Sequence, residues 1–129
     1  MTAWKITLLA TQWLLLSAQT IPEPFWRPRE LTEGYVAYLR SVNVMPPVEF
    51  DHEYKGELKV VRATQSELHA ACPGTFKPGY QAIGCALVHP ASCIIYVADD
   101  KFLQLINYDV EIALRHERAH CNGWKHPPR

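Results

Sequence analysis

Between Leu31 and Val42, apolar residues recur at Leu31, Tyr35, Tyr38, Leu39 and Val42. That spacing follows the helical period and predicts a helix with one apolar stripe. Pro46 and Pro47 stop it, because proline lacks an amide proton and restricts the residue before it. Glu57 to Ala63 (ELKVVRA) predicts a strand, with Val60 and Val61 as its β-formers. Thr64 stands three residues before Glu67. This is the spacing of a capping box, so a short helix through Ala71 is expected, ended by Cys72-Pro73-Gly74. Two apolar runs follow, Tyr80 to Val88 and Cys93 to Ala98, with His89-Pro90-Ala91-Ser92 between them. They predict a β-hairpin.

A last helix is expected to begin near Asn107 or Asp109 and to run through Cys121. Either residue can cap it, and Asp109 and Glu111 put negative charge at its positive end. Asn122-Gly123 is a stop signal. The order helix, strand, helix, hairpin, helix makes the expected fold class α+β. The picture is a small single domain, with a short antiparallel sheet or hairpin packed on a C-terminal helix.

The first twenty residues have a different pattern. Lys5 is the only charge before Glu23, Ile6 to Leu16 is mostly apolar, and Ser17, Ala18 and Thr20 lead to Pro22. A basic start, apolar middle and small-residue exit is the layout of a secretory signal. Residues 1–20 are therefore expected to be a signal peptide, cleaved near Ala18 or Thr20 or kept as an anchor. The apolar run is shorter than the roughly 20 residues of a membrane span, so no stable span is expected unless the signal stays uncleaved. Residues 21–30 (IPEPFWRPRE) hold three prolines and suit a linker. Residues 31–129 then form the domain, in a chain whose 129 residues suit one domain. Location is expected to be secreted or periplasmic.

Charge excludes one class of function. Basic and acidic residues balance at 13 each, so there is no electrostatic footprint for nucleic acid. Export also changes how the cysteines are read. Cys72, Cys85, Cys93 and Cys121 allow three pairings. An even count in an oxidising compartment favours two disulfides. Cys72–Cys85 and Cys93–Cys121 are the favoured pairs, the second tying a strand to the last helix. Their spacings contain no C-x-x-C step, which argues against a cysteine zinc knuckle.

The candidate chemistry lies on the last helix, in His116-Glu117-Arg118-Ala119-His120. A spacing of four puts two imidazoles on one helix face, able to share one zinc ion. Glu117 is offset by one position, so it can act on water at the ion as a general base without being a ligand. A catalytic zinc site needs a third protein ligand and an open fourth position. His126 offers the third. Gly123 can take positive φ and turn the chain sharply off the helix, which would bring His126 back to the metal. If His126 is not a ligand, Asp109, Glu111 or His89 remain as alternatives. H-E-x-x-H alone is expected by chance in roughly one such chain in fifty, and the added Gly and His make the extended motif far rarer.

HERAHCNGWKH, residues 116–126, resembles the zinc-binding signature of the metzincin metallopeptidases, H-E-x-x-H-x-x-G-x-x-H. The resemblance implies that His116, His120 and His126 bind Zn2+ and that Glu117 is the catalytic base. It also implies a strand forming the upper edge of the cleft, a role for which Cys93 to Ala98 sit in the right order. Such an edge can pair with an extended peptide or protein substrate. The family's methionine turn, downstream of the third histidine, has no counterpart, since Met1 and Met45 are the only methionines.

Other residues carry weaker signals. His52 and His69 lack partners at ligand spacing and suit surface or packing roles. Trp124 can wall a substrate pocket or simply pack. Arg115 and Arg118 can orient a carboxylate or form a solvated helix face. Tyr96 and Tyr108 are possible oxyanion donors. The expected function is an exported zinc-dependent peptidase. The alternatives are a non-catalytic binding module stabilised by zinc and disulfides, and a zinc amidase acting on cell-wall peptides.

Overall fold

The structure is a computed structural model and describes residues 29–127. The expected signal peptide and nearly all of the 21–30 linker lie outside the described residues. The elements are α1 (Glu33–Val42), a 3-10 turn (Val48–Phe50), β1 (Glu57–Ala63), α2 (Gln65–Ala71), β2 (Gly84–Val88), β3 (Ser92–Ala98), α3 (Asp100–Leu105) and α4 (Val110–Cys121). The fold is α+β, and α4 packs across β2 and β3.

The helix starts follow from their caps. The Thr32 hydroxyl accepts from the Tyr35 amide, and Asp109 accepts from the Glu111 amide. Thr64 and Glu67 form the reciprocal capping box that opens α2. Of the two candidates for the start of α4, Asp109 is the cap. Asn107 instead takes a positive φ of 48° in the short link from α3. α3 was not expected from the sequence. Its six residues are too few to display a period, although Asp99 caps it through the Phe102 amide.

The sheet order is β1-β3-β2, with β3 in the centre. β2 and β3 form the expected antiparallel hairpin. β1 adds a parallel strand on the other side, in register from Glu57 opposite Ser92 to Ala63 opposite Ala98. The sheet is therefore mixed rather than wholly antiparallel. A parallel partner needs a long crossover, and residues 64–91, which include α2 and β2, supply it.

The first hairpin strand is also shorter than the run from Tyr80 suggested. The Gln65 side chain occupies both backbone groups of Ala82, donating to its carbonyl at 2.8 Å and accepting from its amide at 2.7 Å. The Gln81 amide donates to the Tyr35 hydroxyl. These side chains satisfy the backbone that a ladder would otherwise use, so pairing begins at Gly84.

The core gathers Leu39, Leu68, Ile83, Ile95, Val97 and Ile106 between the sheet and the helices. Two disulfides brace it, in the pairing favoured above. Cys72–Cys85 ties the end of α2 to β2, and Cys93–Cys121 ties β3 to the end of α4.

Candidate metal centre

α4 places His116 and His120 one turn apart, with their Nε2 atoms 3.2 Å from each other. The helix ends at Cys121 with Asn122 as its cap, and Gly123 follows with a φ of 101°, in the left-handed region. A side chain is disfavoured there. The Trp124 amide donates back to the Ala119 carbonyl at 3.0 Å, and the chain doubles over the last turn. His126 thereby returns, its Nε2 standing 3.1 Å from that of His120. One nitrogen from each of the three rings lies within 4.8 Å of the others, a group that could hold a metal ion.

The outer nitrogens fix how two of these rings are presented. His116 Nδ1 bonds the Val44 carbonyl at 2.7 Å, and His120 Nδ1 bonds the Trp124 carbonyl at 2.8 Å. A carbonyl only accepts, so each Nδ1 carries the proton, and in the neutral ring Nε2 is left as a lone pair. Two such lone pairs facing each other at 3.2 Å cannot bond one another. A cation between them turns repulsion into ligation. The spacing suits this: tetrahedral zinc with Zn–N of roughly 2.0–2.1 Å needs nitrogens about 3.3 Å apart. His116 is 2% exposed. Burial pushes its pKa down to about 4, so without metal the ring stays neutral and ready to ligate. Trp124 stacks on His120, with centroids 4.8 Å apart and planes within 7°.

Glu117 turns towards the sheet. It is 3% exposed, and burial pushes its carboxyl up to about 8. It lies over Gly84, where an added Cβ would sit 3.0 Å from Glu117 Cγ and 2.8 Å from the Tyr96 carbonyl. Gly84 was not singled out from the sequence. A glycine inside a strand is the signal that would have found it, because it marks a close approach.

The three imidazoles and Glu117 line one cavity of about 470 Å³, walled by β2 along its length and by Trp124. This corrects the expected role of Cys93 to Ala98. β3 is the central strand and is bonded on both sides. The strand at the site is β2, which ends the sheet next to α4.

The alternative third ligands are placed elsewhere. Among the described residues, the group that could hold a metal ion contains none of Asp109, Glu111 or His89. Asp109 and Glu111 form the opposite end of α4, and His89 lines a different hollow together with His52. His69 packs against Phe76 and reaches the Gln65 and Tyr80 carbonyls. Arg115 is held by Asp51 in an ion pair rather than facing the cavity. The Tyr108 hydroxyl donates to the Asn43 carbonyl and is thereby committed. Comparison with protein-family models, with curated proteins and with solved structures finds no match to this chain, so the reading of the site rests on its own geometry.

Proposed function

We propose that the chain is a zinc-dependent peptidase acting outside the cytoplasm, with His116, His120 and His126 as ligands and Glu117 as the general base. The observation that carries this is the convergence of three imidazole nitrogens on a cavity that Glu117 also lines. Structural zinc sites are closed by four protein ligands, whereas catalytic ones keep a position open. Three ligands beside a cavity fit the second kind. Neutral imidazoles suit zinc. The two disulfides fit an oxidising compartment and support export.

Zinc, when bound, would supply the Lewis acidity that acidifies water and polarises an amide carbonyl. The Val44 and Trp124 carbonyls hold the His116 and His120 rings in the ligating tautomer. Glu117 takes the proton of the attacking water and passes it to the departing amine, so the amide is cleaved with one water consumed. Burial alone raises its proton affinity, and a cation held by the three histidines would draw it back towards the carboxylate that accepts a proton. Among the described residues β2 is an edge strand, and its outer backbone groups could pair with an extended peptide lying along the cavity.

Glu117→Gln tests the proposal. It keeps shape and ligands but cannot accept the proton, so the variant is expected to bind zinc as the wild type does and to lose hydrolysis by at least about a hundredfold. Undiminished cleavage overturns the mechanism. A wild type that binds one zinc yet cleaves neither peptides nor cell-wall peptides leaves the non-catalytic module.

A further inference from the structure

A second hollow, of about 340 Å³, adjoins the β2 cavity. Tyr38 and Val42 of α1 form one wall, and Phe76, Lys77 and Tyr80 from the loop after α2 form the other. Thr75 and His126 line both hollows, so the two meet at the third imidazole.

The walls are fixed in place. Tyr80 meets Tyr35 and Tyr38 edge-to-face, with ring centroids 5.6 and 5.8 Å away. The Tyr35 hydroxyl is bonded to Gln81. Phe76 lies against His69, with centroids 5.1 Å apart, and His69 in turn reaches the Gln65 and Tyr80 carbonyls. Rings held this way need little further ordering when a guest arrives. The Lys77 ammonium stands 5.7 Å from the centre of the Tyr80 ring. It puts a cation at the rim, where the face of another ring is attracted.

We infer that this hollow is a substrate subsite, which takes a bulky aromatic side chain of the peptide whose backbone crosses the three histidines. The inference rests on the peptidase reading and goes beyond it, because it names what the substrate must carry. Aromatic rings favour edge-to-face and offset partners and bury large areas, and the hollow offers three rings in fixed positions. The Arg29 guanidinium already stands 4.6 Å from the centre of the Tyr80 ring, so a guest ring would meet Tyr38, Phe76 and the edge of Tyr80, which a small side chain would not reach.

The test is a titration of the zinc-loaded full chain, followed by backbone NMR. N-acetyl-phenylalaninamide and N-acetyl-alaninamide are the probes. The phenylalanine amide is expected to bind at least tenfold more tightly, with the largest shift changes at Tyr38, Phe76, Lys77 and Tyr80. Val42→Trp, which fills the hollow from the last turn of α1, is expected to abolish the difference. If that variant does not fold, Lys77→Trp blocks the mouth from an exposed position and should do the same. Equal affinity for the two amides, or shift changes confined to the β2 cavity, overturns the proposal. The titration runs equally on the metal-free chain. Cleavage of peptides is measured alongside. Selective aromatic binding without any cleavage refutes the peptidase reading and leaves the subsite. Cleavage together with unselective binding refutes the subsite alone.

Discussion

Replacing Gly84 by alanine puts a methyl group into the closest contact between the sheet and α4. The new Cβ would stand 2.8 Å from the Tyr96 carbonyl, 3.0 Å from Glu117 Cγ and 3.1 Å from Glu117 Oε1. The Tyr96 carbonyl belongs to the central strand and cannot move without disturbing both its neighbours. The Glu117 side chain can yield by a few tenths of an ångström, but the shortest contact is to backbone, so β2 must also shift against β3. Overpacking of this kind costs about 1–3 kcal/mol, and replacing glycine in a strand recovers roughly 0.5–1 kcal/mol. The difference spans about 0–2.5 kcal/mol, and the close contact to backbone places the expected loss in its upper half, at about 1.5–2.5 kcal/mol. If Glu117 is the base proposed above, turnover is expected to suffer more, because misplacing a reacting group by about 1 Å can cost on the order of a hundredfold. Zinc affinity is expected to change little, since the three atoms nearest the new methyl belong to Tyr96 and Glu117 rather than to a histidine. Urea unfolding, zinc competition against a chelator and peptide turnover read the three effects separately. Unchanged stability and turnover would refute the placement of Glu117 over Gly84. A loss of zinc equal to the loss of turnover would show that the glycine supports the ligands rather than the base.

Two further expectations concern pH and the turn. In the metal-free chain, burial raises the Glu117 carboxyl to about 8 from an ordinary 4.5. Between those values the folded state binds more protons, so stability falls as pH rises. His116 is lowered to about 4 from 6.5, so its contribution is lost as pH falls through that window. The two slopes oppose each other up to pH 6.5, and above it, of these two groups, only Glu117 still contributes. Thermal unfolding in chelator should therefore show stability falling from about pH 6.5 to 8, and a flat or rising profile would contradict the burial of Glu117. Gly123→Ala forces a side chain into φ of 101°, which costs roughly 1–2 kcal/mol. It should weaken zinc binding measurably without affecting the Cys93–Cys121 link, and calorimetric titration with unchanged affinity would show that the turn does not deliver His126.

Much of the site was legible because its main constraint is local. A spacing of four on a helix puts His116 and His120 together whatever the rest of the chain does. The glycine turn that returns His126 is also encoded within a few residues. The hairpin and the capping box at Thr64 are local in the same sense. What was not legible depends on distant partners. Nothing in ELKVVRA says that β1 pairs in parallel with β3, and this pairing is what makes β3 central and β2 the wall of the cavity. The end of the hairpin strand at Gly84 is set by Gln65, seventeen residues from Ala82. The match of Gly84 to Glu117 joins a strand to a helix 33 positions later. α3 was missed for a different reason, its length.

The central claim is that three imidazoles form one metal site, and His126, brought back by the turn, is its most exposed member. Zinc content and affinity of the wild type against His126→Ala, with folding checked by circular dichroism, test it directly. The account predicts one zinc per wild-type chain and a folded variant whose affinity is lower by at least about tenfold. A wild type that comes out metal-free and cannot be loaded, or a variant that binds zinc as tightly as the wild type, would contradict it.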